Sequence, residues 1–209
     1  NIIFLVGTGS RYETEKEHGL AHFLEHMLFK GTKKRKTSKI ISDEIYSFGA
    51  ETNAMTSYDF TGYYITTSTE FIEKQLDILS DMLFNSQFNG ISSEKDVVIS
   101  EIKMYDSEPK EILNKKLYEL LFKGTSLEHD VAGTAKKVKK FTKKNVINFY
   151  NKYYSPDNIV LSICGKVPKN ILQLVEKYFS KKKKNVFFEE DIYTNFMELQ
   201  QKPRFKSLI

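Results

Sequence analysis

The segment His22-Phe23-Leu24-Glu25-His26 constrains this chain more than any other stretch. On an α-helix, residues four apart share a face, so both imidazoles can reach a single ion. Glu25 falls between them around the axis. Leu20, Leu24, Met27 and Leu28 gather on the opposite side, where they need a core to pack against. The fold must therefore bury one face of this helix and keep the other open for ligands. His18 adds a third histidine four residues before His22.

Zinc suits this donor set, because it takes imidazole and carboxylate ligands in a tetrahedral shell. A catalytic zinc uses three protein ligands and leaves the fourth position to water. Two histidines therefore call for a partner from elsewhere in the chain. Glu25, adjacent to His26, is better placed to take a proton from that water than to bind the metal.

Composition narrows the alternatives. The only cysteine, Cys164, excludes both a disulfide framework and a cysteine-rich storage or structural zinc shell. It reads as a small, buried apolar residue. With 209 residues, 40% hydrophobic and 28% charged, the chain can bury a globular core. No apolar run approaches the roughly 20 residues of a membrane span. The net charge of +5 is partly concentrated in Lys33-Lys34-Arg35-Lys36 and Lys181–Lys184. Neither patch interleaves aromatics or carries a reader motif, which argues against nucleic acid. The second patch reads as a solvated helix end. Basic residues near the histidine motif would suit acidic peptides. Gly7-Thr8-Gly9-Ser10 lacks the further glycine and the lysine of a phosphate-binding loop and reads as a plain turn.

Periodicity orders the rest. Strands are expected over residues 2–6, within 50–67 and over 158–164. Helices are expected over about 17–29, 38–48, 70–84, 93–105, 110–122 and 142–151, and from Pro168 to about Ser180. Ser93 and Asp96 resemble a capping pair. Strands and helices alternate with hairpin and crossover connections, which points to an α+β fold with a mixed, largely antiparallel sheet covered by helices. Asn1 opens inside a strand and the chain ends abruptly at Arg204-Phe205-Lys206-Ser207-Leu208-Ile209, so it is expected to be part of a longer protein.

The stretch Gly19-Leu20-Ala21-His22-Phe23-Leu24-Glu25-His26-Met27-Leu28-Phe29-Lys30-Gly31-Thr32 resembles the signature of the pitrilysin family of zinc peptidases, which includes insulin-degrading enzyme and the mitochondrial processing peptidase. That resemblance implies a third zinc ligand on a later helix, matched by Glu101 in Val97-Val98-Ile99-Ser100-Glu101-Ile102, with 74 residues between it and His26. It implies that Glu94 supports the site and that Ala50, Glu51, Thr52, Asn53, Ala54, Met55 and Thr56 form an edge strand that takes peptide by strand addition. Gly133-Thr134 and Tyr153-Tyr154-Ser155-Pro156-Asp157-Asn158 resemble the stretches leading to the family's last sheet strand, with Gly165-Lys166 departing from its usual Gly-Asp. His129, between these stretches, reads as structural.

The implied protein is a zinc metallopeptidase in which residues 1–209 form the N-terminal, zinc-bearing domain of a two-half enzyme. Its ligands are His22, His26 and Glu101, its acid–base residue Glu25, its cofactor Zn2+ and its substrate an extended peptide. Its partner is a C-terminal half or a homologous subunit, in a homo- or heterodimer. A bacterial cytoplasm is the expected location, with a mitochondrial matrix as the alternative. The family also contains subunits that have lost the site, so a noncatalytic partner role is the competing reading.

Overall fold

A computed structural model describes residues 1–180; the lysine run Lys181–Lys184 lies outside the described residues. In chain order the elements are β1 (Ile2–Val6), α1 (Leu20–Leu28), α2 (Ser38–Tyr46), β2 (Glu51–Thr56), β3 (Thr61–Thr66) and α3 (Ile72–Asn85). They continue with α4 (Ile91–Tyr105), α5 (Pro109–Leu121), α6 (Ala135–Val138), α7 (Lys143–Tyr153), β4 (Ile159–Ile163) and α8 (Ile171–Phe179).

The strands form one sheet in the order β2-β3-β1-β4, and every pairing in it is antiparallel. Alternation decides which face is buried. Ile2, Phe4 and Val6 from β1 join Tyr63 and Ile65 from β3 in the core. Helices α1 and α3 lie against this sheet, α7 against α1, and α8 against α3. The apolar stripe of α1 behaves as its spacing requires: Leu20, Leu24, Met27 and Leu28 are all buried. This is an α+β fold with helices packed on an antiparallel sheet.

Several boundaries differ from the sequence expectation for identifiable reasons. The first helix begins at Leu20, because the preceding residues turn through Gly19, whose φ is +92°. The carboxylate of Glu13 stands in for a capping side chain there, accepting from the N–H of Gly19 at 2.8 Å and of Ala21 at 2.7 Å. Helix α4 starts at Ile91 after Gly90, so Ser93 and Asp96 are not its cap; the Ser93 hydroxyl donates to the Gly90 carbonyl. A reciprocal cap does form at α7, between Thr142 and Asn145. The Gly7–Ser10 loop is a turn, and a Cβ on Gly9 would fall 2.2 Å from the Ser57 carbonyl, so close docking on the β2–β3 hairpin requires glycine.

One reading of a single residue is overturned: Cys164 is exposed, because it follows β4, the outermost described strand on that side of the sheet. Arg35 of the basic loop is buried among carboxylates. It is 1% exposed and bonds Glu44 at 2.7 and 2.8 Å, Asp77 at 2.7 Å and Asp81 at 2.9 Å. A guanidinium fork matched by three carboxylates is the circumstance in which a buried charge is tolerated.

Candidate active site

Helix α1 carries His22, Glu25 and His26 on its open face, and α4 brings Glu94 and Glu101 across from it. Two helical turns separate the two glutamates, so both point at the α1 motif. His22 Nε2 lies 3.7 Å from Glu101 Oε1, and His26 Nε2 lies 3.2 Å from Glu101 Oε2. One donor atom from each of His22, His26 and Glu101 lies within 4.8 Å of the others. Tetrahedral zinc at its usual bond lengths sets its ligand atoms roughly 3.4 Å apart. The spacing and the nitrogen–nitrogen–oxygen donor chemistry therefore fit that ion.

The two imidazoles are held differently. His26 Nδ1 bonds Glu94 Oε1 at 2.9 Å, and Lys30 pairs with the same carboxylate. His22 Nδ1 is buried and bonds no described side chain or backbone group. Burial alone would depress His26, but the carboxylates of Glu101 and Glu94 outweigh it and raise the imidazole to about 9. Burial, and then the neighbouring His26, push His22 down to about 4. The Glu101 carboxyl sits below its ordinary range through its bond to His26, with Tyr105 adding a further bond.

Glu25 stands beside this trio and is driven the other way. Burial raises its carboxyl, against the pull of a hydrogen bond from the Thr56 hydroxyl to Oε2. A carboxyl that holds a proton more readily than usual is suited to acid–base work. Thr56 ends β2, which among the described residues pairs with β3 alone and exposes Glu51, Asn53 and Met55 in alternation. The Ala54 N–H donates to Asn53 Oδ1 at 2.9 Å.

The face opens into a cavity of about 1410 Å³ lined by these residues and by Thr52–Thr56 of β2. Of the residues expected to take peptide, Ala50 is buried and Glu51 lies off the cavity wall. A family model described as "Insulinase (Peptidase family M16)" matches residues 1–135, nearly two thirds of the chain. The chain belongs to peptidase family M16. A second model, described as the M16 inactive domain, matches residues 140–207.

Among M16 relatives, the chain is 38% identical over 176 residues to an uncharacterised zinc protease of Bacillus subtilis, covering 83% of this chain and 43% of that protein. It is 39% identical over 174 residues to the beta subunit of the mitochondrial-processing peptidase of Dictyostelium discoideum, covering 82% and 37% respectively. A solved protease from Helicobacter pylori superposes with a TM-score of 0.85 at 27% identity, over 95% of this chain and 48% of that one. The chain thus spans less than half the length of these relatives. Membership gives it a pitrilysin-like fold and a peptidase-like role at the level of the family, whose named relatives include zinc proteases. Among the described residues, no helix is long and apolar enough to cross a membrane.

The M16 cavity wall also holds residues that the sequence reading passed over. Tyr105 reaches Glu101 from one turn further along α4, a spacing of four that could have exposed it. Lys30 lies inside the quoted signature, four residues after His26, yet nothing local marks its partner Glu94. The wall carries eight carboxylates and four lysines, so its charge opposes that of the whole chain. Arg35 and Lys34 of the basic loop instead pair with carboxylates away from this wall.

Proposed function

We propose that this chain is the zinc-bearing, N-terminal half of a two-half metallopeptidase that hydrolyses peptide bonds in extended peptides. The observation that carries the reading is the convergence of His22, His26 and Glu101 beside Glu25, at the end of an open strand edge. His22, His26 and Glu101 would hold Zn2+, and Glu94 keeps the His26 ring turned toward it through Nδ1. Bound there, the ion would supply Lewis acidity at the scissile carbonyl and lower the pKa of a water.

The protein's own groups carry the remaining work. The β2 edge from Thr52 to Thr56 offers backbone donors and acceptors that align the peptide as an added strand. Glu25 takes a proton from the attacking water and delivers it to the leaving amine, so its carboxyl ends the cycle as it began. The Thr56 hydroxyl, donating to Glu25 Oε2, orients the carboxyl between those two proton transfers and couples it to the strand that holds the substrate. The acidic wall favours peptides that carry basic side chains.

The partner is a C-terminal half or a homologous subunit, which closes the other side of the cavity. The relatives in a bacterium and in mitochondria are compatible with a bacterial cytoplasm or a mitochondrial matrix. The test is zinc content and peptide cleavage of the complete two-half enzyme, for wild type and His22→Ala side by side. Wild type should carry about one zinc at this three-ligand site and lose cleavage to a chelator, and the variant should lack both. A zinc-free, chelator-insensitive wild type would overturn the reading, and a zinc-loaded but inactive one would favour the noncatalytic partner role.

A further inference from the structure

A second histidine cluster sits on the same cavity and is used by no step above. His18 is 6% exposed, and its ring lies 3.8 Å from that of His129, centroid to centroid, tilted by 36°. Donor atoms of Glu15, His18 and His129 lie within 4.8 Å of one another. Backbone packing forces this meeting. A Cβ on Gly19 would fall 2.5 Å from the Ala132 carbonyl, and one on Gly133 would fall 2.5 Å from the His18 carbonyl. Only paired glycines let the loop of His129 press onto the residues before α1.

An ammonium already sits among these donors. Lys137 Nζ donates to Glu15 Oε1 at 2.6 Å, to the Glu15 carbonyl at 2.6 Å and to His18 Nδ1 at 2.9 Å. The Glu15 carboxylate and one ring nitrogen of His18 thus already hold a cation.

We propose that Glu15, His18 and His129 form a second, weaker site for an imidazole-preferring divalent ion such as Zn2+, for which Lys137 is the built-in competitor. Two imidazoles and one carboxylate match the preference of zinc and its neighbours rather than that of magnesium or calcium. One donor atom from each of the three residues lies within 4.8 Å of the others, the same bound met at His22, His26 and Glu101. Metal entry displaces the Lys137 ammonium into the cavity, and the cost of that displacement makes this the weaker site.

Zinc titration by calorimetry tests this on four forms of the chain: wild type, His129→Ala, Lys137→Met and the double variant His22→Ala/His26→Ala. Circular dichroism checks that each is folded. Wild type should show a tight and a weaker class of site. His129→Ala should lose the weaker class alone, and the double variant should lose the tight class alone. Lys137→Met should tighten the weaker class by about tenfold, or about 1.4 kcal/mol. A wild type that lacks the weaker class, a His129→Ala variant that keeps both, or a Lys137→Met variant with unchanged affinity would each overturn the second site. Failure of the proposed function would appear differently, as a missing tight class with the weaker one intact.

Discussion

Two histidine clusters begin four residues apart in the chain and face one cavity, yet they are completed in opposite ways. At His22 and His26 the distant partners are carboxylates: Glu101 faces both rings, Glu94 bonds the far nitrogen of one, and Glu25 stands alongside. At His18 and His129 the distant partner is an amine, Lys137, which already holds Glu15 and His18. Histidines at helical spacing are thus only half of a metal site. Whether an ion or an ammonium fills the other half is decided by what the rest of the chain delivers. Only the first cluster has, in addition, a buried carboxyl tied to a strand edge, and the proposed chemistry belongs there.

That contrast can be broken experimentally, and the largest effect belongs to Glu25. Glu25→Gln in the complete enzyme should lower kcat by about 10²–10⁴-fold, the usual worth of a positioned acid–base group, while metal analysis finds zinc unchanged. Loss of zinc instead would make Glu25 a ligand. Glu94→Gln should weaken zinc at the first cluster by about 10–100-fold, as the loss of a ligand's hydrogen-bond partner does. Chelator competition would measure this, and the second cluster should be unaffected.

Gly133→Ala sharpens the comparison from the other side. Its φ of +71° and the contact with the His18 carbonyl admit no Cβ. The variant should lose about 1–2 kcal/mol of stability, read as a lower Tm, and the weaker zinc class with it.

A test read through pH and not through metal concerns Glu13, which holds the backbone between His18 and His22. Burial pushes its carboxyl up to about 8 from an ordinary 4.5, against the two backbone N–H bonds that favour the anion. The folded state therefore keeps this proton longer than the unfolded chain does. The group's contribution to stability is full below 4.5 and is lost as pH rises toward about 8. Glu13→Gln should flatten the dependence of Tm on pH across that window, and an unchanged slope would assign the dependence to other groups.

Most of the element order is legible in the sequence, because it rests on local pattern: the apolar run of β1, the alternation in β3, and the apolar stripes of α1 and α3. Errors fell at element ends. Gly90 and not Ser93 precedes α4, and Glu13 from outside α1 caps its start, because capping depends on contacts that periodicity does not encode. The exposure of Cys164 and the setting of Arg35 escaped the sequence for a related reason. A lysine-rich neighbourhood says nothing of three carboxylates on α2 and α3, and an apolar strand says nothing of which edge of the sheet it occupies.

The sequence by itself determined that His22 and His26 share a face, that Glu25 lies between them and that the opposite face seeks a core. Those relations follow from 3.6 residues per turn and survive in any fold containing the helix. The spacing and the family resemblance also singled out Glu101 and Glu94. Only the tertiary structure decided that Glu94 bonds His26, that Thr56 reaches Glu25 and that Lys137 stands between Glu15 and His18. Those partners are 68, 31 and about 120 residues apart, and separations of that size are closed by packing of the sheet and helices, which no local pattern specifies.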